Sequence, residues 1–309
     1  VLPALEVGGA EVLVARLAAA LRVQMVEASV VGVLGGGPLE TRLAELGVAY
    51  AVAPDRPHLP LYPTGLVETL RGLPADLLHA HSGTLQSAAV AAAVLGLPLV
   101  YSEHGYYPDE PAWGRLVDRL SARRASALVA VSAPLQAELA RRLRPAEPPE
   151  LIVNGVEIPP TLDAAGRRAA RARLGVPADA PLVGTVGRLV AVKDHASLLR
   201  AFAIVRAAHA DARLVLVGEG PERATLERLA AELGVVEAVT LAGALPDAAE
   251  LVGALDVYVS SSVTEGMPLA VLEAMAAGCA VVATDVGACA ALLDHGACGL
   301  VVPPSRPDA

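Results

Sequence analysis

Short apolar runs recur every 20 to 30 positions along this chain, at 25–34, 48–53, 76–80, 98–102, 126–131, 150–153, 181–187, 212–217, 237–242, 256–260 and 280–283. A run with little polar alternation reads as a strand buried on both faces, as in a parallel sheet sandwiched between helices. The intervening segments are rich in Ala, Leu and Arg at helical spacing, for example Leu66, Leu70 and Leu73, or Leu198, Leu199, Phe202 and Val205. Strands alternating with helices of this length imply βαβ units and a doubly wound α/β architecture.

The alternation breaks once, at Asn154–Gly166 (NGVEIPPTLDAAG), where two prolines and two glycines separate a six-strand half from a five-strand half. A length of 309 residues suits two domains, and the boundary is set at 1–155 and 156–309. Two open α/β domains in tandem are expected to face one another across a cleft, with ligands at the carboxyl ends of the strands. Val1-Leu2-Pro3 resembles the end of a first strand, and Ser305–Ala309 a loop after an apolar run. Most of a first strand and a closing helix are therefore expected to be missing.

Charge and apolarity remove several classes. With 33 acidic against 24 basic residues, the formal net charge is −9. That leaves no basic footprint for nucleic acid. The longest uncharged apolar stretch, Ser87 to Tyr101, is broken by Gly96 and Pro98 and is too short to span a bilayer. Cys279, Cys289 and Cys298 are odd in number and form no C-x-x-C pair, which fits free thiols in a reduced, cytosolic compartment.

Of the 24 basic residues only Lys193 is a lysine. It follows Gly184-Thr-Val-Gly187-Arg188-Leu-Val-Ala-Val, so a buried strand ends in Arg188 and the lysine stands just before a helix at Asp194. A forked guanidinium and a compact ammonium at one strand end suit a diphosphate. The alternative is a surface ion pair with Asp194 or Glu219.

Ser260-Ser-Ser-Val-Thr-Glu265-Gly266-Met267-Pro268-Leu269-Ala-Val-Leu-Glu273 leads from a strand into a helix. Gly266 is expected to free the loop and Pro268 to fix the first turn, leaving amides near Met267 and Leu269 as outward donors. Glu265 and Glu273 then present carboxylates at different depths of one pocket, suited to accepting from sugar or ribose hydroxyls. A hydrolase with two carboxylates flanking one bond is the competing reading, which the spacing does not decide.

Other loops are less specific. Glu6-Val7-Gly8-Gly9-Ala10-Glu11 opens a helix at about Glu11, and its glycines permit either close approach to an anion or a tight turn needing positive φ. Val217-Gly218-Glu219-Gly220-Pro221 starts another helix, with Pro221 as its first residue. The third glycine of a dinucleotide fingerprint would fall at Arg223, which argues against a nicotinamide enzyme. His79, His81 and Glu103-His104-Gly105 lie at strand ends. Metal is the weaker reading there, and His104 is the better candidate for a bond to a substrate hydroxyl. Arg115, Arg119, Arg123, Arg124, Arg141, Arg142 and Arg144 form a basic stretch, read as a solvated helix face or, less favourably, as contact with an anionic membrane surface.

Taken in order, Gly8-Gly9-Ala-Glu, Glu103-His104-Gly105, Val131-Ser132, Asn154-Gly155-Val156, Gly187-Arg188 with Lys193, Gly218-x-Gly220-Pro221 and Glu265-x7-Glu273 resemble the pattern of family 4 glycosyltransferases. These are retaining, nucleotide-sugar-dependent enzymes of the GT-B fold, in which two Rossmann-like domains face across a cleft. The resemblance covers nearly the whole chain.

It implies that Arg188 and Lys193 hold the donor diphosphate, Glu273 the ribose hydroxyls, and Glu265 with the Gly266–Leu269 backbone the transferred sugar. Gly187 and Gly218 are placed with the donor site, and Gly8, Gly9 and His104 are placed at the same centre from the other domain. It implies a UDP- or GDP-sugar donor, a carbohydrate or lipid-linked acceptor, no metal and no further cofactor. Location would be cytoplasmic, with peripheral contact at the inner membrane face, in synthesis of polysaccharide, lipopolysaccharide or glycolipid. The alternatives weighed are a GT-B epimerase or phosphorylase and an inactive sugar-nucleotide-binding relative. Acceptor choice is assigned to the loops Pro54–Pro63 and Tyr106–Trp113.

Overall fold

A computed structural model describes residues 1–54, 63–105, 112–245 and 248–309. The chain divides into two compact units, Val1–Val153 and Asn154–Ala309, just before the boundary read from the sequence.

In the first unit the elements run α1 (Gly9–Val23), β1 (Ser29–Gly32), α2 (Leu39–Glu45), β2 (Ala49–Val52), α3 (Thr64–Arg71), β3 (Leu78–His81), α4 (Leu85–Leu95), β4 (Leu99–Glu103), α5 (Ala112–Ala122), β5 (Ala127–Ala130), α6 (Ala133–Leu143) and β6 (Glu150–Leu151). Strands β1 and β2 pair in parallel, and β3, β4, β5 and β6 follow in order as a second parallel set. Val1 and Leu2 lie between the two. Leu2 donates to the Val31 carbonyl and His81 to the Val1 carbonyl, so this short segment occupies a strand position, as its sequence suggested. Leu2, Leu5, Val14, Val30, Leu39 and Leu43 close the core on one side.

The second unit runs α7 (Ala164–Arg173), β7 (Leu182–Val186), α8 (His195–Ala208), β8 (Arg213–Val217), α9 (Arg223–Glu232), β9 (Val239–Gly243), α10 (Ala248–Leu251), β10 (Val257–Ser260), α11 (Leu269–Ala276), β11 (Ala280–Thr284), α12 (Cys289–Leu292) and β12 (Leu300–Val302). One parallel sheet of order β12-β11-β10-β7-β8-β9 results. Strand alternation is explicit in β8. Leu214 and Leu216 enter one apolar cluster, with Leu198, Leu199 and Phe202 of α8, while Val215 and Val217 enter another, with Val271 and Ala274 of α11. Each such side chain removed from water contributes about 1.5–3 kcal/mol, so both faces must be covered.

Four expectations are corrected. The second unit has a sixth strand, β12, because Leu300, Val301 and Val302 pair with Val282, Ala283 and Thr284. Strand β6 stops at Leu151, and Ile152 and Val153 are exposed because the chain leaves the sheet edge there. Helix α1 begins at Gly9 rather than Glu11. Pro221 precedes α9 by a turn, with Glu222 at the N-cap.

Candidate functional site

Strand β7 ends at Val186, and Gly187-Arg188-Leu189 leave its carboxyl end. This loop is held by the neighbouring one: Gly187 donates to the Val217 carbonyl at 2.9 Å, Leu189 to the Glu219 carbonyl at 2.8 Å, and Glu222 to the Leu189 carbonyl at 3.0 Å. Gly218 has φ +147°, and a Cβ there would run into the Gly187 carbonyl oxygen, while one at Gly220 would meet that of Leu189. These glycines are needed for close approach of two strand-end loops, not for a dinucleotide. Arg188 projects as an exposed side chain with no hydrogen bond or ion pair among the described residues.

Lys193 ends a single 3-10 turn, Ala191–Lys193. Asp194 follows in the left-handed region with φ +43° and caps α8, accepting from Ser197 N at 3.2 Å and from Ser197 Oγ at 2.8 Å. The lysine stem passes over Gly187, where a Cβ would lie 3.9 Å from Cε. Its Nζ stands 2.5 Å from Glu265 Oε1. Ser262 Oγ donates to the same oxygen at 2.6 Å, and Ser261 Oγ donates to the Lys193 carbonyl at 2.8 Å. The alternative of a surface pair with Asp194 or Glu219 is not the one made. Lys193 takes Glu265 instead, and Glu219 takes Arg223.

Helix α11 starts at Leu269 without a side-chain cap, so its first-turn amides retain their donor capacity. Pro268 is the N-cap residue, in extended conformation, rather than part of the first turn. Gly266 is buried and has no positive φ. The conformational freedom resides across the loop in Gly287, φ +56°, where a Cβ would strike the Glu265 carbonyl oxygen. Ala288 N then bonds the Gly266 carbonyl at 3.0 Å. Met267 is tied to the segment leading into α7: Asn154 N donates to its Sδ at 3.1 Å.

Tyr258 lies buried beneath this region. Burial foremost pushes its hydroxyl pKa up, and the negative charges of Glu265 and Glu273 push it further. The two carboxylates thus lie within electrostatic reach of one phenol. Burial, with Glu265 next, likewise raises the Cys289 thiol to about 12. His195, buried behind Lys193, is lowered to about 4, by burial first and the ammonium second.

In the first unit Gly8 and Gly9 open α1 with Gly8 extended, φ −145°, and neither residue has a positive φ, so no tight turn is made. His104 belongs to a group of three imidazoles with His79 and His81. Glu103, 1% exposed, accepts from Ser82, Tyr101 and Arg142. Arg142 also bonds Asp118 at 3.2 Å. That corrects the reading of Arg142 as a surface cation, and sequence gave no signal because its partners are distant along the chain. Arg119 donates to the Arg142 carbonyl, and Arg141 pairs with Glu138. Among the described residues no cluster of His, Cys, Asp and Glu has metal-holding geometry. The loops assigned to acceptor choice fall mostly outside the described residues.

Two doubly wound units with this loop geometry define a GT-B protein, and known proteins agree. The HepE protein of Anabaena, crystallised with UDP-glucose, superposes with a TM-score of 0.85 at 27% identity, over 97% of this chain and 83% of that one. The profile for Glycosyltransferase Family 4 matches residues 7–158, and that for glycosyl transferases group 1 matches 166–309. The chain belongs to the family 4 glycosyltransferases. It is 30% identical to the 2-deoxystreptamine glucosyltransferase of Streptomyces kanamyceticus, over 72% of this chain and 63% of that protein. It is 33% identical to the D-inositol 3-phosphate glycosyltransferase of Stackebrandtia nassauensis, over 74% and 56% respectively. The matched region thus spans 56% to 63% of these curated relatives.

Proposed function

We propose that the protein transfers a hexosyl group from a UDP-sugar to an acceptor hydroxyl with retention of anomeric configuration. The observation that carries this reading is the Lys193–Glu265 pair at the strand ends of the second unit, with exposed Arg188 on the loop beneath the lysine stem. Family membership and the UDP-glucose seen in HepE support a uridine donor, with GDP-sugars as the tested alternative.

In this reading Arg188 and Lys193 bind the diphosphate, aided by the amides of Met267 and Leu269. Glu265 accepts from hydroxyls of the transferred sugar, and Glu273 from those of the ribose. The bond between the anomeric carbon and the diphosphate oxygen breaks, and the acceptor oxygen bonds to that carbon on the same face. The acceptor proton passes to the departing diphosphate. Positioning and charge stabilisation supply the catalysis, and the two cations with the helix terminus perform the service for which other transferases bind a metal. His104 forms a hydrogen bond with a substrate hydroxyl.

A carbohydrate or lipid-linked acceptor of cell-envelope synthesis fits this chemistry, with the protein on the cytoplasmic side of the membrane. Helix α5 supports a peripheral contact: Trp113, Leu116 and Leu120 are exposed at helical spacing, and Arg123 and Arg124 at its end are exposed as well. No helix among the described residues is long and apolar enough to cross a membrane.

The test is incubation with UDP- and GDP-hexoses and a panel of sugar and polyprenyl-phosphate-linked acceptors, with mass spectrometry of products and NMR of the new linkage. Acceptor-dependent release of UDP with an axial donor yielding an axial product is expected. An inverted product, or a free epimer or sugar phosphate formed without acceptor, contradicts the proposal.

A further inference from the structure

Strand alternation turns His79 and His81 to one face of β3, and β4 lies beside it with His81 opposite Ser102. The imidazoles stack in a row: His79 and His81 centroids are 4.2 Å apart, and those of His81 and His104 are 5.2 Å apart. His79 Nε2 meets Ser102 Oγ at 2.8 Å. His81 Nδ1 meets His104 Nε2 at 3.0 Å.

The backbone of His104 is fixed independently of its ring. Its N–H donates to Ser82 Oγ at 2.7 Å and to Glu103 Oε1 at 3.2 Å. Glu103 is in turn held by Ser82 Oγ at 2.5 Å, Tyr101 at 2.9 Å and Arg142 at 2.9 Å. Nothing in that network touches the imidazole. The hydrogen bond from His81 restrains the ring, and the other ring nitrogen, Nδ1, is buried without a partner among the described residues.

Burial lowers all three rings, His79 and His104 to about 4 and His81 well below its ordinary value. At neutral pH each is uncharged and carries one N–H donor and one acceptor nitrogen. A single proton therefore lies between His81 Nδ1 and His104 Nε2. Whichever ring owns it, the role of His104 Nδ1 follows: donor when His81 donates, acceptor when His81 accepts.

We propose that His81 is a positioning residue for glycosyl transfer: through the Nδ1 to Nε2 hydrogen bond it fixes the ring plane and tautomer of His104 and so presets Nδ1 toward a substrate hydroxyl. The inference rests on the transferase reading and on the part given to His104 there. Ser102 holds His79, and His79 backs His81, so the row forms a support behind one reactive nitrogen. A catalytic group displaced by an ångström or turned to the wrong tautomer loses rate while substrate binding elsewhere persists.

The experiment measures kcat and donor KM with a UDP-hexose for wild type, His81→Phe, His81→Asn, His104→Phe and the His81→Phe/His104→Phe double variant, with UDP-induced thermal stabilisation of each. His81→Phe fills the ring space without the hydrogen bond and is expected to lower kcat on the order of 10- to 100-fold. Donor KM and the UDP shift stay near wild type. His81→Asn, whose amide reaches the Nδ1 position, recovers most of the loss. The double variant is no slower than His104→Phe alone, as coupled residues require. Wild-type kcat in His81→Phe, or two full losses that multiply in the double variant, overturns the inference while leaving the transferase reading intact. If wild type releases UDP from no donor, both fall together.

Discussion

Lys193 Nζ and Glu265 Oε1 stand 2.5 Å apart although 72 residues separate them in sequence. One ends the turn after β7, the other lies in the loop between β10 and α11, and the two strands are neighbours in the sheet. The carboxylate pairs with the same ammonium that the diphosphate is proposed to use.

Binding of UDP then requires Lys193 to exchange partners. Glu265→Gln removes the competing charge and retains a group able to bond Ser262. UDP affinity is expected to rise about two- to fivefold, the worth of a partly exposed ion pair, while kcat falls because a sugar contact is lost. Weaker UDP binding in this variant, read by calorimetry, contradicts the exchange.

The loop carrying Arg188 depends on Gly218. Gly218→Ala forces a Cβ against the Gly187 carbonyl at a backbone angle that L-residues avoid. A loss of about 2 kcal/mol or more in urea unfolding is expected, together with weakened UDP binding. Gly155→Ala, whose added Cβ meets nothing within 4 Å, is the control and leaves stability within about 0.5 kcal/mol.

Arg171 holds the base of the second unit. Its guanidinium, 3% exposed, donates to the carbonyls of Ala254, Ala178 and Ala180 and to Asp256. Asp256 also receives Leu182 N at 2.7 Å and the side chain of Arg167. Arg171→Leu leaves the carbonyls of Ala254, Ala178 and Ala180 and the half-exposed Asp256 carboxylate short of a partner, costing about 2 kcal/mol. UDP affinity of the folded variant stays within twofold. A stability change under 1 kcal/mol contradicts this role.

Acid destabilises the fold through its histidines. Burial lowers His79, His104 and His195 to about 4 from 6.5. Between those values the unfolded chain binds protons that the folded one refuses, so each decrement of pH favours unfolding. The stabilisation is complete above pH 6.5 and is lost as pH falls through 4. The melting temperature is expected to drop steadily from pH 7 to pH 4.5, and a flat profile across that range contradicts the assignment.

The architecture was legible because apolar runs and helical spacing alternate at a βαβ period, and the Asn154–Gly166 segment interrupts both. β12 escaped because Leu300–Val302 is only three residues long. Within the site, Lys193 stood out by composition, and the loop through Glu265 by its Gly and Pro. Gly287 was missed since its role is to make room for the Glu265 carbonyl, a relation between loops that one-dimensional spacing does not carry. Arg142 was misplaced for a similar reason: a cation among other arginines reads as surface until the fold brings Glu103 and Asp118 to it.

If the cations of the second unit grip the donor diphosphate, Arg188 and Lys193 must each contribute to UDP binding. Isothermal titration of UDP into wild type, Arg188→Ala and Lys193→Ala at two salt concentrations addresses it directly. Saturable one-site binding by wild type is expected, weakened about tenfold or more by each substitution and by added salt, with melting temperatures close to wild type. Equal affinity of Lys193→Ala and wild type would contradict it.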